Sequence, residues 1–280
     1  MAIQVKNSSA WVTPSQIHAK SAGVWYECGQ VWIRQGGTWY QMLKDLEITA
    51  NTIDYNLFTA LGSPTTPITA RIEIASGVTI SSSSSSAKAF TISGFATGSI
   101  IYLINNGAIA GAGGAGGARV AGTGPAATFG IDGGTALYTR NTLKLTNNGS
   151  IAAGGGGGGG GGRTNRVGAA YDAYTGVGGG GAGNIVGAGG AGIGICSDGN
   201  DGNSTLGGGA KGHCSAFGSS EDQTGSFGGA GGALGVAGNR GTPSPDFDGT
   251  NFGGAAGNAI DGISYTTKLT AGSILGLEVN

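Results

Sequence analysis

Two short stretches hold the side chains from which a reactive or metal-binding centre could be assembled. "CSDGNDGN" (196–203) combines a thiol with two carboxylates, and "GHCS" (212–215) sets His213 beside Cys214. Cysteine and histidine together ligate zinc or run thiol chemistry. Zinc sites, however, use paired short spacings such as Cys-x-x-Cys, and here neither a pair nor a third nearby ligand accompanies them. Asp198–Asn203 has the Asp-Gly-Asn rhythm of a calcium loop but no closing glutamate at the required distance. The other histidine, His18, lies in a different region and aligns with Trp32 in a repeat described below, which suits a structural role. The glycine runs lack the Gly-Lys-Ser/Thr ending of a phosphate loop. No metal, cofactor or catalytic residue is expected, and nothing supports an enzyme. Three cysteines do not make a disulfide framework. Cys196 and Cys214 could pair if their loops are neighbours, whereas Cys28 lies elsewhere, and free thiols are the default reading.

A different chemistry, recognition, fits the stretches between the glycine blocks. These are "RVAGTGPAATFGIDGGTALYTRN" (119–141), "RTNRVGAAYDAYT" (163–175), "ICSDGNDGNST" (195–205), "KGHCSAFGSSEDQTGSF" (211–227) and "TPSPDFDGTNF" (242–252). They mix aromatic rings with Asn, Ser, Asp and Arg, the composition of loops that bind surfaces, because rings give contact area at low entropic cost. Polar flanks favour exposure of Tyr171 and Tyr174. The competing reading is that the aromatic residues cap the ends of whatever the glycines build.

The elements that must hold such loops are unusual. All but ten of the 63 glycines fall between Gly107 and Gly262, and only 10% of the residues are charged, with a net charge of -1. Disordered chains usually carry high charge and few aromatic residues, so an ordered structure is expected. Alanine recurs every third residue in "GAGGAGGA" (111–118), and glycine does so from Gly229 to Gly241. Period three is neither helix nor strand but polyproline-II geometry, which leaves backbone N–H and C=O groups without internal partners. Segments of this kind, lying side by side, can satisfy one another laterally. A segment enclosed on every side must be glycine throughout, and the run Gly154–Gly162, spanning roughly 28 Å, is the candidate for it.

Before the glycines, "QIHAKSAGVWYEC" (16–28) and "QVWIRQGGTWYQM" (30–42) repeat at an offset of fourteen residues. Each reads as a hairpin with a glycine bend. Trp11, Trp25, Trp32 and Trp39 form either an aromatic core or a stacking surface. After a Ser-Pro-Thr-Thr-Pro hinge, "TARIEIASGVTI", "AKAFTISG" and "SIIYLINNG" alternate with the period of strands. "LINNGAIAGAGG" (103–114) returns as "LTNNGSIAAGGG" (145–156), forty-two residues later. The division expected is a β module over 1–46, a linker and β segment over 47–106, a glycine-rich domain over 107–262 and a strand tail over 263–280. No secretory signal is visible, no apolar run approaches the ~20 residues of a membrane span, and no basic tract suggests nucleic acid.

The element "NNGSIAAGGGGGGGGG", with its blocks and interposed loops over 103–263, resembles the distal tail-fibre adhesins of T-even-like bacteriophages. The resemblance implies a small attachment domain followed by a polyglycine-II helix bundle with recognition loops; the N-terminal β module and the β segment at 69–107, read from the residues, depart from that pattern, and the fold expected for the whole is mostly β and irregular. The resemblance also implies that Phe129, Tyr138, Arg163, Arg166, Tyr171, Tyr174, Phe217, Phe227, Phe247 and Phe252 contact a bacterial outer-membrane protein or surface polysaccharide. The tryptophan repeat is similar to small modules of other phage tail proteins and would dock on a tail-fibre or tail-tip protein. The implied location is the virion tail, after synthesis in the host cytoplasm. Two other classes use such sequences. A glycine-rich antifreeze protein would show a flat, regular face instead of long aromatic loops, and a purely structural tail segment would show a coiled coil or trimeric β repeat.

Overall fold

The computed structural model describes Val5–Asn7, Ala10–Val12, His18–Ser21, Val24–Glu27, Gln30–Gln35, and then residues 38–118, 129–161, 177–191, 198–210, 228–242 and 252–280, with side chains from Lys44 onward. Two antiparallel pairs come first: β1 (Val5–Asn7) with β2 (Ala10–Val12), and β3 (His18–Ser21) with β4 (Val24–Glu27). A third hairpin, β5 (Gln30–Gln35) with β6 (Thr38–Ile48), leads into the main body. The β3–β4 and β5–β6 hairpins coincide with the two copies of the sequence repeat.

From β6 onward the chain winds as a three-sided coil. Its first turn is β6, β7 (Thr52–Ile53) and β8 (Tyr55–Asn56), followed by the short helix α1 (Leu57–Ala60), capped by the Asn56 side chain. The second turn is β9 (Thr69–Ile74), β10 (Thr79–Ser81) and β11 (Lys88–Ile92), and the third β12 (Ile100–Asn105), β13 (Ala108–Ala110) and β14 (Thr135–Thr139). The fourth is β15 (Thr142–Asn147), β16 (Ser150–Ala152) and β17 (Asn258–Asp261), and the last β18 (Thr266–Thr270), β19 (Ser273–Leu275) and β20 (Leu277–Val279). Corresponding strands of successive turns pair in parallel, giving three sheets ordered β6-β9-β12-β15-β18, β7-β10-β13-β16-β19 and β8-β11-β14-β17-β20.

Period-two alternation explains which side chains fill the coil. Ala70, Ile72 and Ile74 of β9 are buried, and above them lie Ile101, Leu103 and Asn105, then Leu143, Leu145 and Asn147. Phe90, Ile80, Ile109, Leu137, Ile151 and Ile260 close the core from the other two sheets. Asn105 and Asn147 are buried amides that need partners. Asn105 Nδ2 donates to Asn147 Oδ1 at 2.7 Å, and Asn147 Nδ2 donates to the Ala271 carbonyl at 2.7 Å, so one line of amides ties the last three turns together. The repeated Asn-Asn-Gly element of the sequence is thus two stacked turns of one coil.

The glycine-rich stretches leave the coil at a single corner. Residues 111–134 connect β13 to β14, and residues 153–257 connect β16 to β17. This corrects the expected architecture: no helix bundle follows a β segment. Among the described residues helix is confined to α1 and the 3-10 turn Ile263–Tyr265, and the body is parallel sheet from β6 to β20. The mostly-β part of the expectation holds. Composition misled because a stretch rich in glycine looks like a separate domain. Here it is a pair of insertions, and the "tail" after Gly262 supplies the final turn of the same coil.

Among the described residues of the insertions, ten short segments outside helix and strand run alternately away from the coil and back. Gly154 and Gly157 donate to Gly134 and Ile131, Gly155 and Gly158 to Ala182 and Gly179, and Gly156 and Gly159 to Val236 and Asn239, all at 2.8–3.0 Å. Their carbonyls accept, again by threes, from Gly257 and Gly254, from Gly114 and Gly117, and from Gly232 and Gly229. The segment therefore has six neighbours, and no backbone polar group from Gly154 to Gly159 is left unpaired. Gly178–Ala182 is surrounded in the same way, with partners that include Gly117, Gly190, Asn200, Gly208 and Gly229.

Candidate functional site

The direction of each segment follows from these bonds. Near the coil the segments turn within the chain itself, at 183–186, 203–206 and 233–236. Asn203 Oδ1 accepts the Thr205 and Leu206 N–H groups in one such turn, and Gly235, at φ 68°, makes another. Remote from the coil lie the segment ends Ala118 and Phe129, Gly161 and Val177, Ala191 and Asp198, Ala210 and Gly228, and Thr242 and Phe252. All five long connections of the insertions therefore depart from, and return to, the lattice end remote from the coil.

Phe129 and Phe252 are brought together there. Their rings lie 6.3 Å apart between centroids and 11° from parallel, and they are 59% and 57% exposed. The Arg240 guanidinium sits 4.6 Å from the Phe252 centroid. Arg240 escaped the sequence reading because it lies inside a glycine block, where only its period-three position beside Ala237 marks it as outward-facing. Tyr138 is elsewhere, on β14 of the coil. Arg140 and Lys88 flank its ring at 4.2 Å and 4.9 Å, and Arg140 pairs with Asp261 at 2.8 Å. That hydrogen bond to Asp261 raises the Arg140 pKa above its ordinary value. Arg163, Arg166, Tyr171, Tyr174, Phe217, Phe227 and Phe247 lie outside the described residues, as do Cys196, His213 and Cys214. Trp11, Trp25, Trp32 and Trp39 fall in β2, β4, β5 and β6, all at positions before Lys44, where only the backbone is described.

Among the described residues no three His, Cys, Asp or Glu side chains converge as metal ligands, and no helix is long and apolar enough to cross a membrane. In the Asp198–Asn203 run, Asp201 Oδ1 accepts the Gly189 N–H at 2.8 Å, and Asn203 Oδ1 is held in its turn. The Asp201 oxygen ties one segment to another, and the Asn203 oxygen closes a turn.

A parallel coil that carries a backbone-bonded glycine lattice at one corner is a scaffold whose connections gather at a single end. Residues 44–279 match the family described as phage tail fibre adhesin Gp38, and the chain belongs to that family. It is accordingly a component of the virion tail. Its fold is similar to one in the crystal structure of the gp37-gp38 adhesin tip complex of the bacteriophage S16 long tail fibre, with TM-score 0.57 and 24% identity over 86% of this chain and 83% of that one. No curated protein matches the sequence.

Proposed function

We propose that the chain recognises the host bacterium for the phage, binding an outer-membrane protein or surface polysaccharide through the connections at the far end of the glycine lattice. The observation that carries this reading is the common end from which all five connections depart, since a rigid scaffold presenting variable loops on one side is the arrangement recognition uses. The aromatic and basic residues of 119–128, 162–176, 211–227 and 243–251 supply the contact chemistry. The role is adhesive and not catalytic. The tryptophan-bearing strands of residues 1–46 dock on a tail-fibre protein, a reading supported by the fibre complex in which the similar fold occurs.

Purified protein added to host cells before infection should block phage adsorption. Replacing 163–175 with a Gly-Ser stretch of equal length should abolish the block while leaving the thermal melt unchanged. Full blocking by variants replaced at each of the five connections in turn, and then at all five together, would rule the reading out.

A further inference from the structure

Three neighbouring segments on one flank of the lattice carry, side by side, a stacked phenylalanine pair and a guanidinium. Phe129 begins the segment 129–134, Phe252 begins 252–257, and Arg240 lies near the end of 236–242; Gly130 donates to the Phe252 carbonyl and Gly238 to the Gly254 carbonyl, which fixes the three in adjacent rows. Isolated exposed apolar side chains need no explanation. Two exposed rings held nearly parallel, with an arginine stacked against one of them, are the combination that concentrates at binding centres. Arg240 is exposed and makes no ion pair among the described residues. Asp132, three residues beyond Phe129, is held against the lattice by accepting the Ala255 N–H at 2.7 Å.

We propose that this ridge binds an anionic sugar of the bacterial surface, a saccharide ring bearing phosphate or carboxylate; the proposal rests on the reading of the chain as a host adhesin. The apolar C–H face of a sugar ring stacks on an aromatic face, and a guanidinium pairs with phosphate or carboxylate in two parallel hydrogen bonds. Stacking on Phe252 already orients the Arg240 fork. Beside the ridge, in the next row, lie the small exposed residues Ala237 and Ala255 together with Asp132, whose carboxylate is engaged by the Ala255 N–H, so beyond the ridge only the Asp132 side chain projects from that row to meet a flat ring.

The test uses full-length protein and lipopolysaccharide purified from the strain on which the phage is propagated, with and without enzymatic removal of its phosphates, and the outer-membrane proteins of that strain in glycan-free vesicles. Binding to intact cells is measured in parallel. Arg240→Gln should weaken binding to untreated lipopolysaccharide by about tenfold or more and flatten its salt dependence. On the dephosphorylated material the same change should matter little if the bound anion is phosphate, and as much as before if it is carboxylate. Phe252→Ala should weaken both, and Leu206→Ala, at the opposite end of the lattice, should weaken neither. Unaltered binding by Arg240→Gln and Phe252→Ala overturns the proposal, as does binding of the wild type to the protein vesicles alone. If the wild type binds cells but not lipopolysaccharide, the ridge fails and the adhesin reading stands; if it binds neither, both fail. Thermal melts confirm that the variants fold.

Discussion

A Cβ built on Gly158 would overlap the carbonyl oxygen of Gly229, and one on Gly155 that of Gly232. Neither obstacle is the flexible end of a side chain; both are backbone held by bonds of its own. Gly158→Val should therefore destabilise the protein by more than about 3 kcal/mol, beyond the usual cost of overpacking a side-chain core. Gly209, on an outer segment, offers the contrast. A Cβ there would approach only Asn200 Nδ2, at 3.2 Å. Gly209→Ala should change stability by about 1 kcal/mol or less, in the stabilising direction if reduced freedom of the unfolded chain dominates. Denaturant melts of the two variants make the comparison, and a Gly158→Val midpoint equal to that of wild type would contradict the packing described.

The line from Asn105 through Asn147 to Ala271 holds the last turn of the coil, whose strands β18, β19 and β20 each have a neighbour on one side only. Asn147→Ala removes the donor to the Ala271 and Ser273 carbonyls and the acceptor for Asn105, at a cost of about 2 kcal/mol or more. Amide exchange across 266–279 should accelerate well before exchange in β9 to β12 does; uniform acceleration along the coil would mean the line is not a local clasp. The strands themselves were legible. "TARIEI" and "SIIYLIN" alternate, and the alternation gives β9 and β12 with the correct buried faces, while "AKAFTI" gives β11, which also buries Ala89 beside Phe90. Their association was not legible, because period two names a buried face but never a partner strand. The forty-two-residue echo of Asn-Asn-Gly was visible, yet only the pairing of Asn105 with Asn147 reveals it as one turn stacked on the next. At the far end, Phe129 and Phe252 stood out by residue type alone, while their mutual stacking depends on lateral bonds between segments far apart in sequence. Tyr138 was drawn into the same candidate set because a glycine-flanked strand looks like a loop.

Backbone hydrogen bonds contribute about 1 kcal/mol each and ordering a residue costs about 1–2 kcal/mol, so the lattice persists only as a large cooperative unit anchored on the coil. One thermal transition is expected, and its midpoint should move little between low salt and 1 M salt, since exposed ion pairs such as Lys268–Glu278 contribute little. The coil should survive without the lattice. The second turn joins β10 to β11 through residues 82–87 alone, so grafting that stretch in place of both 111–134 and 153–257 should yield a folded β protein that no longer adheres to cells. Collapse of that variant into aggregates would show that the insertions and the coil are energetically inseparable. The six-neighbour bonding around Gly154–Gly159 gives the lattice a reading frame. Each neighbour meets this segment at every third residue, and no side chain marks which triplet belongs opposite which. Adding or deleting three glycines moves a segment by one full repeat and returns every donor to an equivalent acceptor, whereas one or two throw all six partners out of phase. The gene can thus lengthen or shorten the scaffold in triplets of codons, a step that keeps the lattice in frame while the distance from the coil to the lattice's far end is tuned.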